Sequence, residues 1–124
     1  MLLVDDEPHI GLLLRPHLER RGYRVTLART LAQARVTTAV DAVDVLLLDV
    51  HLPDGSGLDW LRELRTHPRT RRVPVLILTG EGDERALEAA AGLGATVLTK
   101  PFSPSKLTSR IAGLLGETQG PDAA

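Results

Sequence analysis

The fold of this chain is decided by residues 45–57, VLLLDVHLPDGSG. Four apolar residues in a row, Val45 to Leu48, stop at Asp49. An unbroken apolar run of this length is typical of a strand that is covered on both faces, as strands in parallel sheets are. A helical segment follows from Leu58 to about His67, so the stretch predicts a strand, a polar strand end and a helix in succession.

The same succession recurs along the chain. Apolar runs lie at residues 2–4 and 75–78, a weaker run lies at 96–98, and residues 24–28 are a fifth candidate strand. Helical patterns separate these runs, and crossovers between parallel strands are right-handed. The alternation therefore predicts a doubly wound α/β domain, (βα)5, in which a parallel five-stranded sheet lies between two layers of helices.

Start and stop signals bound the helices between the strands. The first helix is expected from Pro8 to a stop at Gly22, with an apolar spacing carried by Ile10, Leu13, Leu14 and Leu18. Pro16 lies inside it, and we expect a bend near the second turn because proline removes a backbone hydrogen bond.

Capping residues indicate where the other helices begin. Thr30 is the expected N-cap of the second helix, and the fourth runs from Asp83 to about Ala91. Ser103 and Pro104 open the fifth, whose apolar face is formed by Leu107, Ile111, Leu114 and Leu115.

Composition limits the chain to one domain. Its 124 residues and 13.4 kDa, 43% hydrophobic, suit a single core, so we expect a domain at 1–116 and a flexible tail at 117–124. The net charge of -1 argues against a general nucleic-acid or membrane-surface binder, and the lack of cysteine excludes disulfides and thiolate chemistry. The apolar runs are too short to span a bilayer and the start lacks a signal-peptide pattern, so we expect a cytoplasmic protein.

Polar residues collect where the apolar runs end. Asp5 and Asp6 follow the run at 2–4, and Asp49, Thr79 and Lys100 follow later runs. The carboxyl ends of parallel strands meet at one edge of a sheet, where open α/β sheets bind their ligands. Three clustered carboxylates repel one another, which raises their pKa values or recruits a cation, and Mg²⁺ prefers such all-oxygen sites. The sequence therefore predicts a Mg²⁺ site beside a hydroxyl and an ammonium group.

Four segments, in this order and spacing, resemble the response-regulator receiver domain of two-component signalling: LLVDDEP at 2–8, LLLDVHLPDGSG at 46–57, VPVLILTGEG at 73–82 and GATVLTKPFSP at 94–104. The resemblance implies a flavodoxin-like sheet with the strand order 2-1-3-4-5, as in chemotaxis regulators. It also implies a signalling phosphoacceptor that catalyses its own phosphorylation and dephosphorylation, rather than an enzyme acting on a separate substrate.

The resemblance implies a role for each residue at the strand ends. Asp49 would accept a phosphoryl group from the phosphohistidine of a sensor histidine kinase or a phosphotransfer protein. Asp6 would bind Mg²⁺ directly, Asp5 mostly through water, and the backbone carbonyl of His51 would complete the protein's ligands. Lys100 would neutralise the phosphoryl oxygens together with the metal ion.

The conformational response would begin at Thr79. The resemblance implies that its hydroxyl donates to the phosphoryl group and that the following loop is drawn inward. A cis peptide bond between Lys100 and Pro101 would aim the ammonium group at the phosphate. Three positions set this chain apart: Val97 replaces the usual aromatic switch residue, and His51 and Glu81 occupy the variable positions that tune dephosphorylation.

Two surfaces carry clustered charges. An arginine-rich stretch, Arg62, Arg65, Arg69, Arg71 and Arg72, lacks interleaved aromatic residues, so we interpret it as a solvated face and expect no direct nucleic-acid binding. The last two helices and the strand between them form the partner surface of the receiver family, and two copies could pair there. This surface carries charges of both signs at Glu84, Arg85, Glu88, Lys106 and Arg110.

Other classes of protein remain as alternatives. A pseudo-receiver, which binds partners without being phosphorylated, is consistent with Val97 but not with the complete set of acidic, Thr and Lys residues. A phosphatase or phosphotransferase with an aspartyl nucleophile would resemble a pattern of two aspartates separated by one residue, whereas Asp5 and Asp6 are adjacent. A flavin-binding protein is disfavoured by the missing phosphate loop and by the small number of aromatic rings.

Overall fold

A computed structural model describes residues 1–80 and 82–116, apart from the side chains of Pro8 and His9. Its main sheet has five parallel strands in the order β2-β1-β3-β6-β7: β1 (Leu2–Val4), β2 (Thr26–Ala28), β3 (Leu46–Asp49), β6 (Val75–Thr79) and β7 (Thr96–Thr99). Numbered within this sheet alone, the order is 2-1-3-4-5, which confirms the predicted topology. The tail predicted at 117–124 lies outside the described residues.

A short antiparallel hairpin follows the central strand β3. It consists of β4 (His51–Leu52) and β5 (Gly55–Ser56), with His51 opposite Ser56. This hairpin was not predicted from the sequence, because two-residue strands leave no hydrophobic period.

Five helices cover the sheet: α1 (Pro8–Glu19), α2 (Leu31–Val40), α3 (Gly57–Thr66), α4 (Glu84–Gly92) and α5 (Pro104–Leu114). The N-caps predicted for α2 and α5 are confirmed, and Asp83, which was predicted as the first residue of α4, is the N-cap of that helix. The side chains of Thr30, Asp83 and Ser103 accept hydrogen bonds from backbone N–H groups in the first turns of α2, α4 and α5. Each such cap contributes about 1 kcal/mol to helix stability.

Helix α1 corrects two details of the prediction. It ends at Glu19, and Gly22, expected at its end, lies in the following turn with φ +92. Leu13 was placed on the apolar face but is 60% exposed, because the helix buries a stripe at four-residue spacing through Leu14 and Leu18. The helix continues through the exposed Pro16, and the bend expected there stays a prediction.

Alternate residues of the buried strands enter two separate cores. Leu46 and Leu48 pack with buried residues of α2, α3 and α4 on one face, whereas Leu47 packs with α1 and α5 on the other. Each fully buried leucine contributes about 1.5–3 kcal/mol relative to an exposed one. The three predicted layers are therefore confirmed, with α1 and α5 on one side of the sheet.

The arginine-rich stretch is not uniformly solvated. Arg65 is half-buried, and its guanidinium donates to the backbone carbonyls of Leu93 at 2.8 Å, Val73 at 2.7 Å and Arg71 at 3.2 Å. The prediction of a solvated face is thus wrong for this residue. Within residues 1–80 and 82–116, no helix has the length and apolar character needed to cross a membrane.

Candidate functional site

Three carboxylates meet at the carboxyl edge of the sheet. Asp5 and Asp6 follow β1, and Asp49 is the last residue of the neighbouring strand β3, because β1 and β3 pair in parallel register. One ligand oxygen from each residue lies within 4.8 Å of the other two. Asp5 and Asp49 are each 6% exposed and Asp6 is exposed, so the cluster combines two buried oxygens with one that faces solvent. Such an oxygen cluster suits Mg²⁺, which usually keeps several of its waters.

Lys100 provides the positive charge of the site. It follows β7, and its Nζ lies 2.9 Å from Asp49 Oδ2, 3.4 Å from Asp5 Oδ2 and 3.6 Å from Glu7 Oε1. Burial lowers the pKa of Lys100, but the hydrogen bond to Asp49 and the charges of the three carboxylates outweigh it, so the net shift is upward. The side chain therefore stays an ammonium group at neutral pH.

The surroundings of Asp5 disfavour the ionised form of its carboxyl group. Burial raises its pKa above the ordinary value, although the backbone N–H of Glu7 donates to Oδ1 at 2.9 Å and Lys100 lies nearby. The negative charge of Asp49 contributes to the same upward shift. The Asp5 carboxylate is therefore prepared to take up either a proton or a metal ion.

The Asp49 carboxylate is positioned by the segment that follows it. The backbone N–H of His51 donates to Asp49 Oδ1 at 3.1 Å, while Oδ2 accepts from Lys100. Gly57 begins α3 directly behind this strand end, and a Cβ there would overlap the backbone carbonyl oxygen of Asp49. Only glycine fits this position, which was quoted within a motif but not singled out as a site residue.

A second aspartate fixes the hairpin that carries His51. Asp54 lies between β4 and β5, and its carboxylate accepts from the backbone N–H groups of Leu31 at 2.8 Å and Ala32 at 3.0 Å. These hydrogen bonds lower the pKa of Asp54. Asp54 thus anchors the hairpin to the N-terminus of α2, where the helix dipole also favours a negative charge.

Thr79 ends β6 beside the acidic cluster. It is 2% exposed, its hydroxyl donates to Asp83 Oδ2 at 3.2 Å, and its carbonyl accepts from the backbone N–H of Lys100 at 2.7 Å. The Lys100–Pro101 peptide bond is cis, as the resemblance implied. The structure therefore ties the predicted hydroxyl and ammonium residues to each other through adjacent strands.

The remaining predicted residues have more varied surroundings. The His51 side chain is 84% exposed, and its backbone N–H contacts Asp49; the metal-binding role of its carbonyl stays a prediction. Val97 is half-buried and packs against the core beneath α2, α3 and α4. Glu81 lies outside the described residues. Glu7 and Asp83 were missed, because nothing in their spacing distinguishes them from ordinary surface acids.

The geometry and the sequence agree with one protein family. Residues 1–112 match the family described as the response regulator receiver domain, and the chain belongs to this family. It is 38% identical to the transcriptional regulatory protein GltR of Pseudomonas aeruginosa over 120 residues, which cover 96% of this chain and 50% of GltR.

Two further relatives are similar. The transcriptional regulatory protein CpxR of Klebsiella pneumoniae is 40% identical over 116 residues, which cover 93% of this chain and 48% of CpxR. The solved structure of the chemotaxis response regulator CheY4 of Vibrio cholerae superposes with a TM-score of 0.85 at 28% identity, covering 92% of this chain and 96% of that one. The chain thus spans about half the length of the curated relatives that it matches, and nearly all of a receiver structure.

Proposed function

We propose that this receiver domain accepts a phosphoryl group on Asp49 in a Mg²⁺-dependent reaction and changes its surface in response. The observation that supports the proposal is the contact of Lys100 Nζ with both Asp49 and Asp5, beside a carboxylate cluster with oxygens within 4.8 Å. A nucleophilic carboxylate, an ammonium group and a cation site lie together at one edge of the sheet.

The donor set fits a magnesium ion. Asp5, Asp6 and Asp49 would hold it, and the carbonyl of His51 is a further candidate ligand. When bound, the ion neutralises the oxygens of the phosphoryl group and orients it toward the acceptor. Each of the three residues offers one oxygen, two from the buried Asp5 and Asp49 and one from the exposed Asp6. Three protein oxygens leave room around the ion for water ligands and for the phosphoryl group.

The transfer itself needs little from the protein beyond position and charge. An Asp49 carboxylate oxygen attacks phosphorus, a P–O bond forms, and the P–N bond to the donor imidazole breaks, so the electron pair leaves with the donor ring. The ammonium of Lys100 lies 2.9 Å from Asp49 Oδ2 and stabilises the negative charge that gathers on the equatorial oxygens. Hydrolysis of the acyl phosphate by water would return Asp49 to its carboxylate form.

The phosphoryl donor is a sensor histidine kinase or a phosphotransfer protein. On α1, beside the site, Leu12 is 76% exposed and Leu13 is 60% exposed. A groove of about 380 Å³ continues this apolar surface toward the site, lined by Ile10, Leu13, Leu14, Lys100, Pro101 and Phe102. An apolar surface next to the acceptor carboxylate is suited to a helical partner that carries the phosphohistidine.

The modified domain would control a partner or an attached output. GltR and CpxR are transcriptional regulators about twice the length of this chain, so an output domain is a property of those proteins. In this chain α4, β7 and α5 expose Glu84, Arg85, Lys106 and Arg110, which supports a homodimer or a protein contact rather than nucleic-acid binding. Signalling from a kinase to such an output would take place in the cytoplasm.

The alternative of a phosphorylation-independent pseudo-receiver is not favoured. Such a module has no use for a buried acceptor carboxylate paired with a half-buried ammonium group, since burying charges costs free energy. Val97, which led to the alternative, is half-buried and packs against the hydrophobic core.

The test is the intact mass of the protein after incubation with a small acyl phosphate donor, with and without Mg²⁺. Wild type should gain one phosphoryl group only with Mg²⁺, and Asp49→Asn should gain none because the nucleophile is gone. Asp59→Asn is the matched control, since Asp59 is exposed on α3 and pairs with Arg62. A wild type without the mass gain, or an Asp49→Asn protein that still gains it, would overturn the proposal.

A further inference from the structure

One carboxylate connects Thr79 to the first turn of α4. Asp83 Oδ2 accepts the hydroxyl of Thr79 at 3.2 Å, and Asp83 Oδ1 accepts the backbone N–H of Ala86 at 3.1 Å. The side chain of Asp83 is 27% exposed, and Thr79 is buried. The same residue therefore caps α4 and fixes the direction of the Thr79 hydroxyl.

The same Asp83 oxygen also lies near the β4–β5 hairpin that follows Asp49. His51 Nε2 lies 3.8 Å from Asp83 Oδ2, and the backbone N–H of His51 donates to Asp49. Asp83 thus lies next to His51, the first residue of β4, as well as Thr79, the last residue of β6.

A hydroxyl group has one hydrogen, which it can donate to one strong acceptor at a time. While the Thr79 hydroxyl donates to Asp83, it cannot donate to a group on Asp49. We propose that Asp83 is a positioning residue that restrains Thr79 in the unmodified protein, so that activation requires Thr79 to exchange its partner. This inference rests on the proposed phosphorylation of Asp49 and adds a residue that sets how readily the modified state is reached.

The exchange has a defined consequence for α4. When Thr79 turns away, Asp83 Oδ1 can keep the cap on Ala86 while Oδ2 loses its donor. His51 can replace it, since its imidazole Nε2 already lies 3.8 Å from this oxygen. Activation would therefore draw the start of β4 and the start of α4 together without uncapping the helix.

Two substitutions separate the restraint from the cap. Asp83→Asn keeps an oxygen for the N–H of Ala86, and asparagine is as good an N-cap as aspartate. Its amide NH2 replaces Oδ2 and can only donate to the Thr79 oxygen, which leaves the hydroxyl hydrogen free. Asp83→Ala removes both the restraint and the cap.

The experiment is a titration with beryllofluoride, which stands in for the phosphoryl group, at saturating Mg²⁺ and followed by backbone amide NMR signals. Asp83→Asn should lower the concentration at half-saturation about tenfold, since a hydrogen bond to a charged group is of this size. Asp83→Ala should show a similar shift together with a lower melting temperature. Asp59→Asn, which removes an exposed carboxylate elsewhere, should leave the half-saturation point unchanged.

The Thr79→Ala background distinguishes the restraint from a general effect of charge. With no hydroxyl to release, Asp83→Asn should no longer shift the half-saturation point. An equal shift in both backgrounds, or an Asp83→Asn protein that titrates like wild type, would overturn the restraint while leaving the acceptor function in place. A wild type that does not respond to beryllofluoride at all would instead overturn both proposals.

Discussion

Charged side chains are buried or half-buried at both ends of the parallel strands, and they are compensated in different ways. At the carboxyl edge, the buried Asp5 and Asp49 share the single ammonium group of Lys100, and burial raises the pKa of Asp5. Near the opposite edge, the guanidinium of Arg65 donates to backbone carbonyls of the α3–β6 connection and to Leu93 at the end of α4. Burial lowers the pKa of Arg65.

The difference separates a ligand site from a structural contact. The N–H donors of Arg65 bond to backbone carbonyls of this chain, at Leu93 after α4 and at Val73 before β6. These hydrogen bonds link the two segments and need no ligand. At the carboxyl edge, the negative charge of three clustered carboxylates exceeds the positive charge of Lys100 beside them. This incomplete compensation of buried charge supports the proposal that the carboxyl edge is the functional site.

The largest effect on stability is expected at Arg65. Arg65→Met keeps the apolar stem but leaves the carbonyls of Leu93 and Val73 without their donor, so the free energy of unfolding should fall by about 3 kcal/mol. Urea unfolding followed by the fluorescence of the buried Trp60 measures this change. Arg62→Met on the same helix loses only an exposed pair with Asp59 and should cost less than about 1 kcal/mol. Equal losses of unfolding free energy in Arg65→Met and Arg62→Met would show that the contacts of Arg65 do not stabilise the fold more than an exposed ion pair does.

A smaller effect is expected from Mg²⁺ binding to the carboxylates at the carboxyl edge. Mg²⁺ at about 100 times its Kd should raise the free energy of unfolding by about 2.7 kcal/mol, and Asp6→Asn should reduce this gain at the same Mg²⁺ concentration. Because the folded-state pKa of Asp5 is raised, its ionisation makes the metal-free fold less stable as pH rises from 3.8 through the folded value. The gain from Mg²⁺ should therefore grow over the same range, which parallel melting curves at several pH values would show. A Mg²⁺-dependent gain in the free energy of unfolding that changes neither with pH nor in Asp6→Asn would contradict Mg²⁺ binding at these carboxylates.

The smallest effect is expected at Asp54, where the charge is exposed and its partners are backbone N–H groups. The pKa of Asp54 is lowered, so its contribution to stability is present above the ordinary value of 3.8 and is lost as pH falls through the folded value. Asp54→Asn should be slightly less stable than wild type at neutral pH, and the two proteins should converge on acidification. A difference in melting temperature that stays constant with pH would show that Asp54 acts without its charge.

The carboxyl edge could be predicted because its chemistry follows the ends of apolar runs. Asp49, Thr79 and Lys100 each stand at or just after the end of a parallel strand, so the alternation of strand and helix is enough to bring them to one edge. The sheet order and the cis bond before Pro101 followed from the resemblance to receiver domains, and the structure confirms both.

The contacts of Arg65, Asp54 and Asp83 could not be predicted in the same way. Arg65 and Asp54 bind backbone groups of distant segments, and a backbone N–H or carbonyl leaves no mark on the sequence. Asp83 was identified as a helix start, but the spacing of the sequence does not indicate that its second oxygen accepts the hydroxyl of Thr79. Leu13 was misplaced because leucines at three successive positions of α1 satisfy more than one helical spacing.

The most direct test of the account is to locate the modified residue. Borohydride reduces an acyl phosphate to an alcohol, so a phosphorylated aspartate would be converted to homoserine and could be found by peptide mass analysis. After incubation with a small acyl phosphate donor and Mg²⁺, the account predicts homoserine at Asp49, and none when Mg²⁺ is removed by a chelator. Homoserine at Asp5 or Asp6, or unchanged Asp49 in the presence of Mg²⁺, would contradict it.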